Sequence, residues 1–227
     1  MEDQTVNFDW TADASDTPSP NELLSTGIDV LDRKLGGGIP PGRLIVLTAS
    51  PASQSELFLY EMTRPRETLY LTTERTIGEV EETIRQNNGN LESTTIHRID
   101  RADPLTDALN EIEGLAEPTT IIVDPFHLIE GSDSKEFGRF MNALKTTSTD
   151  MGGIAILHCL EGRAVSEQRD RTEYFADAIF DLRTTLRGGT VETILSVPKF
   201  RGGSARTEAI QLDLTTNVTI DVSRKIS

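Results

Sequence analysis

The stretch STGIDVLDRKLGGGIPPGRLIVLTASP, residues 25–51, decides the fold. Apolar positions between 28 and 35 recur at helical spacing, and the glycines at 36–38 end that helix. The apolar run RLIVLT at 43–48 is typical of a buried strand. A loop of small and polar residues follows, and it leads into a second helical pattern at 53–63. A helix, a buried strand and another helix in this order predict the start of an α/β domain.

The alternation continues along the chain. Apolar runs predict strands at 68–73, 94–99, 119–124 and 153–159, and helical periodicity predicts helices at 76–87, 104–116 and 134–150. Strands that are apolar on both faces indicate a parallel sheet covered by helices. After 175 the period changes to two in AIFDLRTT, VETILSVPKF, EAIQLDL and VTIDV, which predicts antiparallel strands that extend one edge. We expect one domain over 21–227, after a flexible acidic leader at 1–20.

Charge and composition narrow the classes of function. The net charge is −15 and the acidic residues are dispersed, which we interpret as a solvated surface suited to a high-salt cytoplasm. Such a surface argues against nucleic-acid binding, because phosphate contacts need a basic stripe. The sequence has neither an apolar run long enough for a membrane span nor the core of a signal peptide, so we expect a cytoplasmic protein. Cys159, the single cysteine, lies in an apolar run and is predicted to be a buried, unreactive thiol.

Four segments carry a resemblance to the KaiC- and RecA-like ATPases. Residues 25–51 resemble the opening that precedes the phosphate loop of these proteins, and LYLTTER at 69–75 resembles their second strand, which ends in one or two glutamates. TTIIVDPF at 119–126 resembles the Walker B strand, and LSVPKFRGG at 195–203 resembles a late strand with a K-x-R-G sequence. The resemblance implies a three-layer, RecA-like P-loop NTPase fold with a mainly parallel sheet and C-terminal antiparallel strands. Within it, the chain is most similar to divergent KaiC-like proteins of salt-loving archaea that are implicated in signalling.

The resemblance places the phosphate loop at 49–56, where the pattern G-x-x-x-x-G-K-[ST] is lost. Ala49 and Gln54 take the glycine positions, Ser55 the lysine position and Glu56 the position of the magnesium-binding hydroxyl. The other residues of this loop are Ser50, Pro51, Ala52 and Ser53. A carboxylate at the position of Glu56 would repel a triphosphate by a few kcal/mol. Ser53 and Glu56 also have the spacing of a capping box, so we predict that the helix satisfies its own first amides and that the nucleotide site is degenerate.

Three further site residues are assigned by the same resemblance. Glu74 takes the position of the glutamate that polarises the attacking water, and it is at most a vestigial catalytic residue here. Asp124 takes the position that orders magnesium, and His158 that of a residue sensing the γ-phosphate. Each assignment has a structural alternative. Glu74 is then a solvated carboxylate, Asp124 a helix N-cap before Pro125 or a loop-anchoring aspartate, and His158 a histidine hydrogen-bonded at the sheet edge.

Lys199 and Arg201 alternate on a predicted strand and therefore face the same side. In KaiC-like rings the matching cations reach the nucleotide of the neighbouring subunit, so the resemblance implies an intersubunit role for both residues. Alternatively, they pair with acidic groups of an adjacent subunit or are exposed cations of the strand.

These observations predict a non-catalytic RecA/KaiC-like module that regulates or scaffolds signalling or transcription control. We expect a protein partner or self-association, with a ring oligomer as one form, and we expect no cofactor. We predict no metal site, because the histidines lack ligand spacing, except for magnesium at Asp124 if nucleotide binds. The alternative is an ATP-binding ATPase with an atypical phosphate loop and with ATP and magnesium as its cofactors. A recombinase-type DNA-binding ATPase is the weakest hypothesis, because the charge opposes it.

Overall fold

The computed structural model describes residues 22–87, 89–187, 189–201, 209–214 and 218–220. The predicted leader at 1–20 lies outside the described residues, and its flexibility stays a prediction. The single domain predicted over 21–227 is described only over these ranges.

Helices and strands alternate along the described chain up to residue 175. The helices are α1 Asp29–Leu35, α2 Ser55–Glu61, α3 Ile77–Gln86, α4 Pro104–Ile112, α5 His127–Glu130, α6 Ser134–Asp150 and α7 Arg169–Phe175. The strands are β1 Arg43–Ala49, β2 Thr68–Thr72, β3 Thr94–Arg98, β4 Thr120–Asp124, β5 Ile154–Leu160, β6 Ala178–Arg187, β7 Thr190–Phe200, β8 Ile210–Leu214 and β9 Val218–Ile220.

The strands form one sheet in the order β3-β2-β4-β5-β1-β6-β7-β8-β9. The strands from β3 to β6 in this order are parallel, and β7, β8 and β9 each pair antiparallel with the strand before them. The predicted parallel sheet with an antiparallel extension is therefore confirmed. The extension starts one strand later than predicted, because β6 lies parallel to β1 and only β7 reverses direction.

Two apolar cores lie on opposite faces of the sheet, because successive side chains of a strand alternate between its faces. Ile45 and Leu47 of β1 pack in one core with Phe58 of α2. Leu44 and Val46 of the same strand pack in the other core with Phe140 of α6. Every residue of β1 after Arg43 is buried, as the apolar run predicted. The fold therefore has three layers, with helices on both faces of the sheet.

The glycines after α1 end the helix as predicted. Gly36 adopts a left-handed conformation at φ 87°, and its N–H donates to the carbonyl of Arg33. Gly38 has a φ of 138°, and a Cβ there would lie 2.4 Å from the carbonyl oxygen of Leu24. Leu24 and Ile39 bridge their backbones at this point, so this close approach brings the chain into β1.

Helices α4 and α7 differ from the prediction, and the structure shows the reason for each difference. The helix predicted to reach 116 ends at Ile112, because Glu113 is extended and Gly114 has a φ of 91°. Helix α7 was not predicted, since RDRTEYF shows little apolar periodicity. Two of its residues, Arg169 and Thr172, instead hydrogen-bond the buried carboxylate of Glu130.

A capping box starts α3 and gives a first testable prediction. Thr76 Oγ1 accepts from the Glu79 amide at 3.3 Å, and the Glu79 carboxylate accepts from the Thr76 amide at 2.8 Å. We expect Thr76→Ala to lower the free energy of unfolding by about 1 kcal/mol in urea denaturation, because an orphan amide loses its acceptor. Thr83→Ala, in the middle of the same helix, serves as the control and should change it by less than about 0.5 kcal/mol. Equal losses for both variants would contradict the capping role.

Candidate functional site

The candidate site lies at the carboxyl edge of the parallel strands, where α/β folds bind ligands. Asp124 is the last residue of β4, His158 lies near the end of β5, and Ser55 opens α2 directly after the loop that follows β1. Parallel pairing of β1 and β4 with β5 brings these three chain segments together. The fold therefore joins three of the residues that the sequence assigned to a nucleotide site.

The carboxylate of Asp124 is the centre of this cluster. Its Oδ1 accepts from Nδ1 of His158 at 2.5 Å, and its Oδ2 accepts from the hydroxyl of Tyr70 at 2.5 Å and from the guanidinium of Arg75. Burial alone would raise the pKa of Asp124, but the hydrogen bond and charge of His158 and the charge of Arg75 outweigh burial and hold this pKa well below its usual range. The carboxylate is thus ionised at neutral pH and fully engaged by the protein.

Two hydroxyl groups and an imidazole extend the cluster. Ser55 Oγ lies 2.9 Å from Nε2 of His158, and both residues are buried. On the other side, Arg75 contacts the hydroxyls of Tyr60 and Tyr70, and its guanidinium lies 5.7 Å from the centroid of the Tyr60 ring. Burial raises the pKa of both tyrosines, so both hydroxyls stay protonated; Tyr70 donates to Asp124, and Tyr60 accepts from Arg75. One continuous polar network thus links, in order, Ser55, His158, Asp124, Arg75 and Tyr60, with Tyr70 bound to both Asp124 and Arg75.

The predicted capping box at Ser53 and Glu56 is wrong. Ser53 Oγ donates to the carbonyl of Ser50 at 2.6 Å, within a turn that also joins the Ser53 amide to the same carbonyl. Helix α2 begins at Ser55, two residues later than predicted, and its N-cap residue Gln54 makes no side-chain cap. The Ser53 hydroxyl is therefore engaged within the turn at 50–53 and does not cap the helix. Within the described residues, the Ser55 and Glu56 amides donate no hydrogen bond.

Glu74 lies outside the buried network. Its exposed carboxylate pairs with Arg101 and lies 3.1 Å from Nε2 of His127. The next residue, Arg75, turns inward to Asp124 instead. The structure therefore shows Glu74 as an exposed carboxylate, as its structural alternative expected. The N-cap alternative for Asp124 is wrong, because α5 starts after Phe126 without a side-chain cap. The sheet-edge hydrogen bond expected as the alternative for His158 is present.

The sequence analysis did not assign Tyr60, Tyr70 or Arg75 to the site. Of these three, Tyr70 and Arg75 contact Asp124 directly. Both lie in the segment LYLTTER, and Arg75 stands where the resembling family sometimes has a second glutamate. The signal for an internal ion pair was a cation at that position, because the neighbouring strand ends in an aspartate.

Lys199 and Arg201 lie together, as the alternation predicted, but both bind within the chain. Lys199 Nζ donates to the carbonyls of Glu173 and Tyr174 at 2.6 and 3.1 Å, and Arg201 donates to that of Tyr174 at 3.1 Å. Both cations also lie within 6 Å of the Tyr174 ring centroid. They bind the carbonyl end of α7, where the helix dipole favours positive charge. Their intersubunit role stays a prediction.

The residues present do not fit magnesium and a triphosphate. The carboxylate that would order the metal already holds a guanidinium, and the position of the phosphate-binding lysine is a serine hydrogen-bonded to histidine. Glu56 adds a further negative charge at the start of α2. Over the described ranges, no group of three or more His, Cys, Asp or Glu residues is arranged to hold a metal ion. Cys159 is buried, as predicted, and burial raises the pKa of its thiol.

Comparisons with known proteins agree with this fold. The sequence model of a family described as a family of unknown function (DUF7125) matches residues 23–227. The DNA repair protein RadA of Mycobacterium tuberculosis is 26% identical over 194 residues, in each of two strains. The match covers 79% of this chain, which spans only 39% of the length of that relative.

The crystal structure of a KaiC-like protein from the hyperthermophilic archaeon Pyrococcus horikoshii superimposes with a TM-score of 0.72 at 14% identity. The superposition covers 87% of this chain and 98% of the other. The RecA/KaiC-like fold implied by the sequence is therefore confirmed. In the described part of the chain, every helix is too short or too polar to cross a membrane.

Proposed function

The chain belongs to the family of unknown function DUF7125, and we propose that it is a RecA/KaiC-like module that does not turn over ATP. It serves instead as a regulatory or scaffolding partner in signalling or transcription control. The observation that carries this proposal is the ion pair between the Arg75 guanidinium and the buried Asp124 carboxylate. In this arrangement an internal cation takes the place of the hydrated magnesium ion that the resembling ATPases bind.

Two further features support the loss of ATP turnover. Ser55, at the position of the phosphate-binding lysine, carries no charge and is hydrogen-bonded to His158. Glu74, at the position of the residue that polarises water, is paired with Arg101 on the surface. A base that is paired elsewhere, beside a site without a phosphate-binding cation, gives no transition-state stabilisation for phosphoryl transfer.

One observation favours the alternative, an ATP-binding protein with an atypical loop. In the described residues the Ser55 and Glu56 amides donate no hydrogen bond, so an anion would find donors there. The adjacent Glu56 carboxylate opposes the same anion, and a repulsion of a few kcal/mol lowers affinity a hundredfold or more.

A titration with a fluorescent ATP analogue and magnesium, in molar salt, tests the proposal. We expect no saturation in the micromolar range and no phosphate release. As a positive control, the loop graft Ala49→Gly, Gln54→Gly, Ser55→Lys and Glu56→Thr should create measurable affinity. Adding Arg75→Ala to the graft should increase that affinity, because Asp124 is freed for magnesium. Micromolar binding by the wild type, with turnover that Glu74→Gln abolishes, would refute the proposal.

The regulatory role implies a protein partner or self-association, for which Lys199 and Arg201 remain candidate contacts. Light scattering in molar salt measures the mass directly. If these cations join subunits, Lys199→Ala together with Arg201→Ala shifts the mass towards the monomer. An unchanged mass would contradict an intersubunit role for both residues.

A further inference from the structure

The buried network contains a serine, a histidine and an aspartate joined in series. Ser55 Oγ lies 2.9 Å from His158 Nε2, and His158 Nδ1 lies 2.5 Å from Asp124 Oδ1. The two ring nitrogens thus face a hydroxyl on one side and a carboxylate on the other. The series runs across three separate elements, from the first residue of α2 through β5 to the end of β4. This is the relation of nucleophile, base and orienting acid that activates a hydroxyl group.

The carboxylate fixes the proton of the imidazole. Asp124 is ionised, since its pKa lies well below the usual range, and can only accept hydrogen bonds. In the neutral imidazole, His158 Nδ1 therefore carries the proton, and the lone pair of Nε2 faces Ser55. Tyr70 and Arg75 hold the other carboxylate oxygen, so Asp124 has no freedom to turn away. The imidazole is thus held in the tautomer that a general base needs.

We propose that Ser55 is a nucleophile for acyl transfer, with His158 as its general base and Asp124 as a positioning residue. The Ser55 oxygen attacks the carbonyl carbon of an ester while its proton moves to His158 Nε2. Collapse of the tetrahedral adduct breaks the bond to the leaving alcohol, which takes that proton, and leaves an acyl ester on Ser55. Water then attacks this ester with His158 as base, releasing the carboxylic acid and restoring the serine. The overall reaction is ester and water giving acid and alcohol.

Burial sets the size of the substrate. Ser55 is 1% exposed, and the exposed residues nearest to it in the chain are Pro51, Ala52 and Gln54. Because the Ser55 hydroxyl is almost completely buried, only a small acyl group is expected to reach it. We therefore assign short-chain esters as the substrate class. This activity is independent of ATP turnover, so the nucleotide titration and the ester-labelling experiment fail or succeed separately.

The experiment uses the whole chain with p-nitrophenyl acetate and a small fluorophosphonate. We expect release of p-nitrophenol and one phosphonyl adduct, mapped to Ser55 by peptide mass spectrometry. Ser55→Ala should remove both. His158→Gln should slow labelling of Ser55 by about 100-fold or more, the usual contribution of a general base. His97→Gln is the matched control, because His97 also contacts a carboxylate, at 2.9 Å from Asp107, and lies elsewhere in the sheet. It should label at the wild-type rate.

Three outcomes would overturn the proposal. They are an absence of label on Ser55 in folded wild-type protein, ester hydrolysis that survives Ser55→Ala, and labelling of His158→Gln at the wild-type rate. Thermal unfolding checks that each variant is folded. If Ser55→Ala does not fold, Ser55→Cys keeps a nucleophile in place and should react with iodoacetamide at least tenfold faster than the buried Cys159. Equal reactivity of the two thiols would equally refute activation by His158.

Discussion

Replacing Arg75 by methionine is expected to lower the free energy of unfolding by about 3 kcal/mol at pH 7, the low end for breaking a buried ion pair. The side chain of Asp124 is 5% exposed and that of Arg75 28%, so solvent replaces the lost cation poorly. Tyr70 and His158 still donate to the carboxylate, but the guanidinium that pairs with it is gone. Methionine keeps much of the apolar stem, so the change reports on the lost charge together with the lost contacts to the hydroxyls of Tyr60 and Tyr70. Urea denaturation followed by circular dichroism measures it.

The matched control is Arg85→Met in α3. Arg85 pairs with Glu82, and both side chains are more than half exposed. Such a surface pair contributes less than about 0.5 kcal/mol. If Arg75→Met lowers the free energy of unfolding no more than Arg85→Met does, the ion pair between Arg75 and Asp124 does not stabilise the protein in solution. Occupation of Asp124 by an internal cation would then no longer explain a loss of magnesium binding.

Much of the fold can be predicted from the spacing of apolar residues in the sequence. Strand β1 is apolar at every position from 44 to 47, and all four residues are buried against one or the other core. The sequence predicts helix α6 at its observed bounds, because Phe137, Phe140, Met141 and Leu144 recur at helical spacing. Helix α7 could not be predicted in this way, because polar contacts hold it to the neighbouring elements and leave no apolar period in the sequence.

The site was predictable in its location but not in its contacts. Parallel strands bring their carboxyl ends to one edge, so the meeting of Asp124 and His158 follows from topology. The partner of each group depends on side-chain directions that the sequence does not encode locally. Ser53 and Glu56 have the spacing of a capping box, yet the turn before α2 takes the Ser53 hydroxyl first. Arg75 turns inward while Glu74, one residue earlier, turns to solvent, and only tertiary packing decides between them.

These contacts have a common physical consequence. Each residue at a nucleotide-site position satisfies its charge or hydrogen bond within the chain: Asp124 with Arg75, Ser55 with His158, and Glu74 with Arg101. A site whose groups are already paired must give up those pairs before it binds a ligand, and that loss is subtracted from the affinity. These internal pairs can in this way stabilise the RecA/KaiC-like fold without a bound ligand.

The second large effect is expected at Glu130, which lies under the loop between β5 and α7. Its carboxylate is fully buried and accepts from Nε and Nη2 of Arg169 at 2.9 and 3.0 Å and from Thr172 Oγ1 at 2.7 Å. Glu130→Met leaves a buried guanidinium without its anion, and Arg169→Met leaves a buried carboxylate without its cation. Each single variant should lose about 3–5 kcal/mol of unfolding free energy in urea denaturation.

The double variant separates the cost of an unpaired charge from the value of the pair. With methionine at both positions neither charge remains buried, so the double variant should be more stable than either single variant. The backbone oxygen of Glu130 keeps its hydrogen bonds from Gln168 and Ser166 in all three variants, so the loop retains an anchor that does not depend on charge. A double variant whose loss equals the sum of the two single losses would show that Glu130 and Arg169 act independently. Such additive losses would contradict the explanation that a buried ion pair holds α7 in place.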